Sequence, residues 1–217
     1  MRGLYPIVDV DSLERGADGA APLSVLAFAE QVLLARPALL QLRAKHRGAR
    51  DTLELLRALR PLCTRAGTRL IANDRPDLAL LAQCDGVHVG QEDLPLKVVR
   101  QIAPGLLVGV STHTLVQLTC ALAERPDYVA LGPVFGTVSK ERPDDTVGVA
   151  LLMQAHEAAR ARGIPLVAIG GINLERAREV APFCELASVI AALQPNPGSL
   201  RGVTEAALAL QAALAQP

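Results

Sequence analysis

Arg69-Leu70-Ile71-Ala72 running into Asn73-Asp74-Arg75-Pro76, and Asp85-Gly86-Val87-His88-Val89 running into Gly90-Gln91-Glu92-Asp93-Leu94-Pro95, form the stretch that decides the fold. Two short β-branched runs, Arg69–Ala72 and Asp85–Val89, flank a helical segment at Pro76–Ala82, the pattern of a βαβ unit. Strands of a parallel sheet are covered on both faces and should read as nearly continuous apolar runs. Here both runs, apart from a charged first residue and His88, are apolar until their C-terminal ends, where polar residues cluster. In α/β proteins that end of the sheet is where ligands bind.

The same alternation continues in both directions. Further strands are predicted at Leu4–Val8, Ala38–Arg43, Leu106–Val110, Tyr128–Leu131, Pro165–Ile169 and Glu185–Ala191, and further helices at Leu23–Ala35, Thr52–Ala66, Leu94–Ala103, Leu115–Glu124, Ala150–Arg162, Leu174–Val180 and Leu200–Leu214. Asp51 with Glu54, and Thr114 with Gln117, have capping-box spacing, and Asn173 can cap the seventh helix. Eight such units predict an α/β fold, a single (β/α)8 barrel, with residues 1–217 as one catalytic domain. A doubly wound open sheet is the competing topology, but no G-x-G-x-x-G follows the first strand, which weighs against a dinucleotide fold.

Composition narrows the function. The 217 residues are 50% hydrophobic and 20% charged, with 22 Lys plus Arg against 22 Asp plus Glu, so disorder and binding driven by phosphate counterion release are both disfavoured. Two Tyr, three Phe and no Trp leave no stacking platform for bases, and nucleic acid is not an expected partner. Cys63, Cys84, Cys120 and Cys184 lie far apart with no C-x-x-C pair and read as buried thiols in a reducing cytoplasm. Met1–Asp11 lacks signal-peptide character, and the longest uncharged stretch, Gln101–Ala123, carries Ser, Thr, His and Gln, so it reads as two soluble elements with no membrane partner.

Five places at or after the strands' C-terminal ends break the apolar rule. Gln41, Arg43 and Lys45 alternate with Leu42 and Ala44, so period two puts an amide and two cations on one face; a guanidinium fork and an ammonium suit an anion. The plain alternative is a strand fraying into the basic loop after it. Asp74 and Asp93 follow adjacent strands, and two carboxylates beside a bound polyphosphate suit Mg²⁺, although each could also cap the helix after it. Ser111-Thr112-His113-Thr114 follows the fifth strand; His113 is either functional or a helix-start residue, and His88 reads as a hydrogen-bonded packing residue. The long connection Gly132–Gly148 carries Thr137, Ser139 and Lys140, able to close over an anion. Ile169-Gly170-Gly171-Ile172 ends the seventh strand, where barrels often hold phosphate together with the eighth strand's end at Ile190-Ala191.

Together these segments resemble the thiamine-phosphate synthase family in its monofunctional bacterial form. The matching stretches are Leu4-Tyr5-Pro6-Ile7-Val8-Asp9, Gln41-Leu42-Arg43-Ala44-Lys45, Asn73-Asp74-Arg75, residues 85–95, Gly109–Thr114, residues 132–140 and Ala168–Ile172, in family order. The resemblance implies a cytoplasmic enzyme that joins hydroxymethylpyrimidine diphosphate to hydroxyethylthiazole phosphate, giving thiamine monophosphate and pyrophosphate. It implies that the Gln41–Lys45 segment and Asn73 hold the pyrimidine diphosphate, with Arg43, Lys45, Ser111 and Lys140 catalytic, and that Asp74 and Asp93 bind Mg²⁺. Thr137, Val138 and Ser139 with Gly171, Ile190 and Ala191 would receive the thiazole phosphate. The chain departs from the family pattern at Gly136, usually Pro, at Ser139, usually Thr, at Ala181–Glu185, usually Gly-rich, and at Ala191, usually Ser. Two rival activities are a thiazole tautomerase, which by resemblance uses a His where His113 lies, and a noncatalytic phosphate-ligand regulator on the same barrel. The intact Gln41, Arg43, Lys45, Asp74 and Asp93 set favours the synthase. The sequence leaves a homo-oligomer open.

Overall fold

The computed structural model describes residues 1–14, 23–136, 145–195 and 199–215. Eight parallel strands, β1 (Gly3–Asp9), β2 (Leu39–Arg43), β3 (Arg69–Asn73), β4 (Gly86–Val89), β5 (Leu107–Thr112), β6 (Tyr128–Leu131), β7 (Leu166–Ile169) and β8 (Leu186–Val189), pair in chain order. The sheet closes because β8 pairs with β1, Tyr5 opposite Ser188, which removes the open-sheet alternative. Around it lie α1 (Val10–Glu14), α2 (Val25–Leu33), α3 (Ala49–Ala66), α4 (Pro76–Leu81), α5 (Leu96–Ile102), α6 (Leu115–Ala123), α7 (Gly148–Arg160), α8 (Leu174–Val180) and α9 (Val203–Ala215). The fold is the expected (β/α)8 barrel. No helix among the described residues is long and apolar enough to cross a membrane.

Period two divides the core. Outward residues such as Leu42, Leu70, Val87 and Val108 pack against the helices, whereas Tyr5, Leu39, Ile71, Tyr128, Ala130, Val167 and Leu186 fill the barrel interior. Both tyrosines of the chain are inside the barrel, edge to face, with ring centroids 5.9 Å apart. Gly109 makes room for them, since a Cβ there would lie within the Tyr128 ring.

Several local expectations are corrected. α3 begins at Ala49 after Gly48, so Asp51 lies inside the helix and does not form a capping box with Glu54; Thr52 Oγ1 instead donates to Gly48 O at 3.0 Å. Thr114 and Asn173 do cap, accepting from Gln117 N (3.2 Å) and Arg176 N (2.9 Å). β8 stops at Val189, and Ala191–Leu193 is a 3-10 turn, so Ile190 and Ala191 lie beyond the strand. Cys120 is exposed; the other three thiols are buried, and burial pushes each up to about 12.

Candidate active site

The polar strand ends converge because inward positions at the C-terminal rim are the same positions that period two selects. Gln41, Arg43, Lys45, Asn73, Asp74, Asp93 and Ser111 all line one cavity of about 190 Å³ at that end of the barrel. Its other wall is apolar: Ile7, Ala130, Val167, Ile169 and Ile172 come from β6, β7 and β1 and the loop after β7. A polar half for an anion thus faces an apolar half sized for a small ring.

Both cations already have carboxylate partners. Arg43 Nη1 pairs with Asp9, whose side chain is wholly buried and whose Oδ1 also accepts the Ser12 N–H at the start of α1 (3.0 Å). Lys45 Nζ pairs with Asp74. Asp93 accepts from Gly90 N at 2.7 Å and lies beside Asp74. Burial raises the Asp74 carboxyl above its ordinary value of 3.8, and contact with Asp93 raises it further against the opposing pull of Lys45. Two carboxylates held this close repel unless a proton or a cation lies between them. Neither caps a helix by its side chain: Arg75 and Pro95 occupy those positions. Among the described residues no three His, Cys, Asp or Glu cluster at ligating distance. The donor set suits an ion that takes two protein carboxylates and fills its remaining positions with substrate oxygens and water, which is the habit of Mg²⁺.

The floor of the cavity is a hydrogen-bonded row that the sequence does not announce. Gln41 Nε2 donates to Tyr5 Oη (2.7 Å), Tyr5 Oη lies 2.9 Å from Tyr128 Oη, Tyr128 Oη lies 3.1 Å from His88 Nδ1, and His88 Nε2 lies 2.8 Å from Ser111 Oγ. Burial pushes both phenols well above their ordinary range, so each keeps its proton. His88 is therefore hydrogen-bonded packing, as expected, and also part of the cavity lining. Ser188 Oγ, buried on the apolar side, has no hydrogen-bond partner among the described residues.

Gly171, Ile190 and Ala191 line the same cavity, opposite the cations. Gly170 and Gly171 both have positive φ (99° and 65°), and a Cβ on them would strike Pro133 and Gly136 O respectively, so the pair also serves to seat the loop after β6. Arg176, unremarked in the sequence, fixes this corner by donating to Gly171 O (2.7 Å) from over the Phe135 ring. His113 lines the cavity with its Nδ1 against Gly132 O. Leu42 and Ala44 are not brought into the cavity; their side chains pack on the outer face, as period two requires. Thr137, Val138, Ser139 and Lys140 lie outside the described residues.

The profile of the family described as thiamine monophosphate synthase matches residues 5–193. The chain is 38% identical to a thiamine-phosphate synthase of Methanocella arvoryzae over 98% of its own length and 95% of the relative's, and 41% identical to one of Koribacter versatilis over 89% and 90%. Among solved structures, a thiamine phosphate pyrophosphorylase from Pyrococcus furiosus superposes with a TM-score of 0.82 at 29% identity, covering 98% of this chain and 95% of that one. A phosphoribosyl anthranilate isomerase from Thermotoga maritima, with a TM-score of 0.67 at 16% identity over 99% of both chains, shares the fold.

Proposed function

The chain belongs to the thiamine monophosphate synthase family, and from that premise we infer what its cavity does. It joins hydroxymethylpyrimidine diphosphate to hydroxyethylthiazole phosphate, forming a C–N bond and releasing pyrophosphate. The observation that carries the assignment of sites is the two-sided cavity, with Gln41, Arg43, Lys45, Asn73, Asp74, Asp93 and Ser111 on one wall and an apolar wall ending at Gly171 and Ala191 on the other.

In this reading the diphosphate lies against Arg43, Lys45 and Asn73, the pyrimidine against Gln41 and Ser111, and the thiazole ring on the apolar wall with its phosphate at the main chain of Gly171 and Ile190-Ala191. By the family resemblance, Thr137, Val138, Ser139 and Lys140 would add further anion contacts. Asp74 and Asp93 would hold Mg²⁺, which when bound supplies positive charge to the diphosphate. No nucleophilic side chain is required. The aminopyrimidine feeds electron density to its methylene carbon as the C–O bond breaks, the electron pair leaves with pyrophosphate, and the thiazole nitrogen lone pair forms the new bond. Arg43 and Lys45 oppose the charge growing on the leaving oxygen, the kind of contact worth about 3–4 kcal/mol each. The apolar wall excludes the water that would otherwise capture the cation.

The substrates are small molecules, and the protein works in the cytoplasm. A tautomerase needs no diphosphate clamp, and the convergence of Gln41, Arg43, Lys45, Asp74 and Asp93 in one cavity supports the synthase over it. Mass detection of thiamine monophosphate from purified protein, both substrates and Mg²⁺, with one pyrophosphate released per product, tests the assignment. Binding of both substrates without pyrophosphate release would instead identify a regulator.

A further inference from the structure

The row of side chains across the cavity floor has both ends in the ligand space, and hydrogen counting gives it a direction. Gln41, Tyr5, Tyr128, His88 and Ser111 come from β2, β1, β6, β4 and β5, and the four contacts that join them are 2.7, 2.9, 3.1 and 2.8 Å long. Each phenol has one proton to give. Gln41 Nε2 donates into Tyr5, so the Tyr5 proton goes to Tyr128 and the Tyr128 proton to His88 Nδ1. A ring nitrogen that accepts carries no hydrogen, so the hydrogen of His88 is on Nε2 and is given to Ser111 Oγ. The opposite order requires the Gln41 amide turned over, with Oε1 accepting from Tyr5 and Nε2 facing the cavity, against the orientation in which Nε2 is the atom 2.7 Å from Tyr5 Oη. What remains for a ligand is a hydroxyl proton on Ser111 and the Oε1 acceptor of Gln41.

We propose that this one-way relay holds His88 as the Nε2–H tautomer and so makes Tyr5, Tyr128 and His88 positioning residues that select an aminopyrimidine, the acceptor at Gln41 matching its exocyclic N–H and the donor at Ser111 matching a ring nitrogen. The identity of the ring rests on the function proposed above; the tautomer does not. An oxopyrimidine, which offers an acceptor and an N–H donor in place of the amine and ring nitrogen, meets like against like at both ends. Sites built to pair polar groups reject such a mismatch strongly.

The test has a spectroscopic arm and a kinetic arm. Two-bond ¹H–¹⁵N correlation on ¹⁵N-histidine-labelled protein at neutral pH, with His88 assigned among the four histidines by its disappearance in His88→Gln, should show the Nε2–H form both without ligand and with pyrimidine diphosphate. A dominant Nδ1–H form or a doubly protonated ring in the wild type overturns the relay. Tyr128→Phe keeps the ring but removes the link to Nδ1. It should raise KM for the pyrimidine diphosphate about tenfold, leave KM for the thiazole phosphate unchanged, and shrink the preference for the amino over the oxo diphosphate as competing ligands by a similar factor. An unchanged preference in a folded Tyr128→Phe overturns the selective role, and if that variant fails to fold the wild-type spectrum and the wild-type amino-to-oxo preference decide. A wild type with His88 as Nε2–H that makes no thiamine monophosphate overturns the aminopyrimidine assignment and leaves the tautomer standing.

Discussion

Asp74 shows how much of the site rests on single residues. It follows β3 with φ at 62°, in the left-handed region that Asn and Asp tolerate and Ala does not, and its carboxyl is raised by burial and by Asp93. A carboxyl whose folded pKa is raised favours the fold in its protonated form, so its contribution is greatest below pH 3.8 and is lost as the pH rises through the raised value. Asp74→Asn removes that loss while keeping the backbone comfortable. The unliganded variant should be at least as stable as wild type at neutral pH, whereas Asp74→Ala should lose about 1–2 kcal/mol to backbone strain. Both should turn over at least about a hundredfold more slowly, through loss of a ligand to the proposed Mg²⁺. Denaturant titration and pyrophosphate-release kinetics check this; full activity of Asp74→Asn at limiting Mg²⁺, or equal destabilisation of the two variants, would sink it. Much of this site is legible in the sequence, because a polar residue at the end of a buried strand has few other reasons to be there, and that rule picks out Gln41, Arg43, Asn73, Asp93 and Ser111. The same rule misses Asp9 only because a strand read as ending at Val8 stops one residue short of its inward partner for Arg43. Tyr5, Tyr128 and Ser188 are illegible for a different reason: in sequence they are ordinary strand residues, and only barrel closure turns them toward one another.

At the scale of elements, the alternation of short and long apolar segments is a nearest-neighbour signal, so all eight strands and their order can be read from the chain. What cannot be read is how the barrel's N-terminal end is stitched. Asp85, Asp127 and Glu185 each precede an even-numbered strand, and each accepts the N–H of Leu70, Val108 or Leu166 in the odd-numbered strand before it, at 2.8, 2.8 and 2.7 Å. Arg60 and Arg100 brace the first two from α3 and α5. In the sequence Asp85 and Glu185 read only as the first residues of strands and Asp127 as the residue before one, since their partners lie 15 to 19 positions back. Helix α1 is equally hidden, being five residues long and held by the Asp9 carboxylate, too short for a 3.6-residue period to register. Asp127→Ala leaves the Val108 N–H unpaired beside a buried side chain and should cost about 1–3 kcal/mol in urea denaturation. Asp127→Asn keeps an acceptor oxygen and gives up only a partly exposed pairing with Arg100, so it should cost no more than about 1 kcal/mol. Equal losses would show that the ion pair, not the strand N–H, is what Asp127 serves.

For the molecule as a whole, charge is the deciding quantity. Lys plus Arg equals Asp plus Glu, so no net charge draws a polyphosphate in, and among the described residues the cavity's two cations are each matched by a carboxylate with Asp93 left over. A diphosphate arriving alone must displace those pairings and face a surplus of negative charge. In the proposed site, a divalent cation between Asp74 and Asp93 would relieve their repulsion and release Lys45 from Asp74 for an arriving diphosphate. Binding of the two should therefore be strongly coupled, and by linkage each must strengthen the other by the same factor. With both present at about 100 times their joint dissociation constant, the stabilisation is about 2.7 kcal/mol, or about 5–10 °C in Tm for a chain of this length. Mg²⁺ alone or pyrimidine diphosphate with chelator should each give less than half of that, and Asp74→Asn should abolish the excess of the pair over the sum. Scanning calorimetry of the four combinations, in wild type and Asp74→Asn, measures this directly. A full shift from the diphosphate in chelator would mean that Arg43 and Lys45 suffice to hold it, and that the carboxylate pair has some task other than bridging it through a metal.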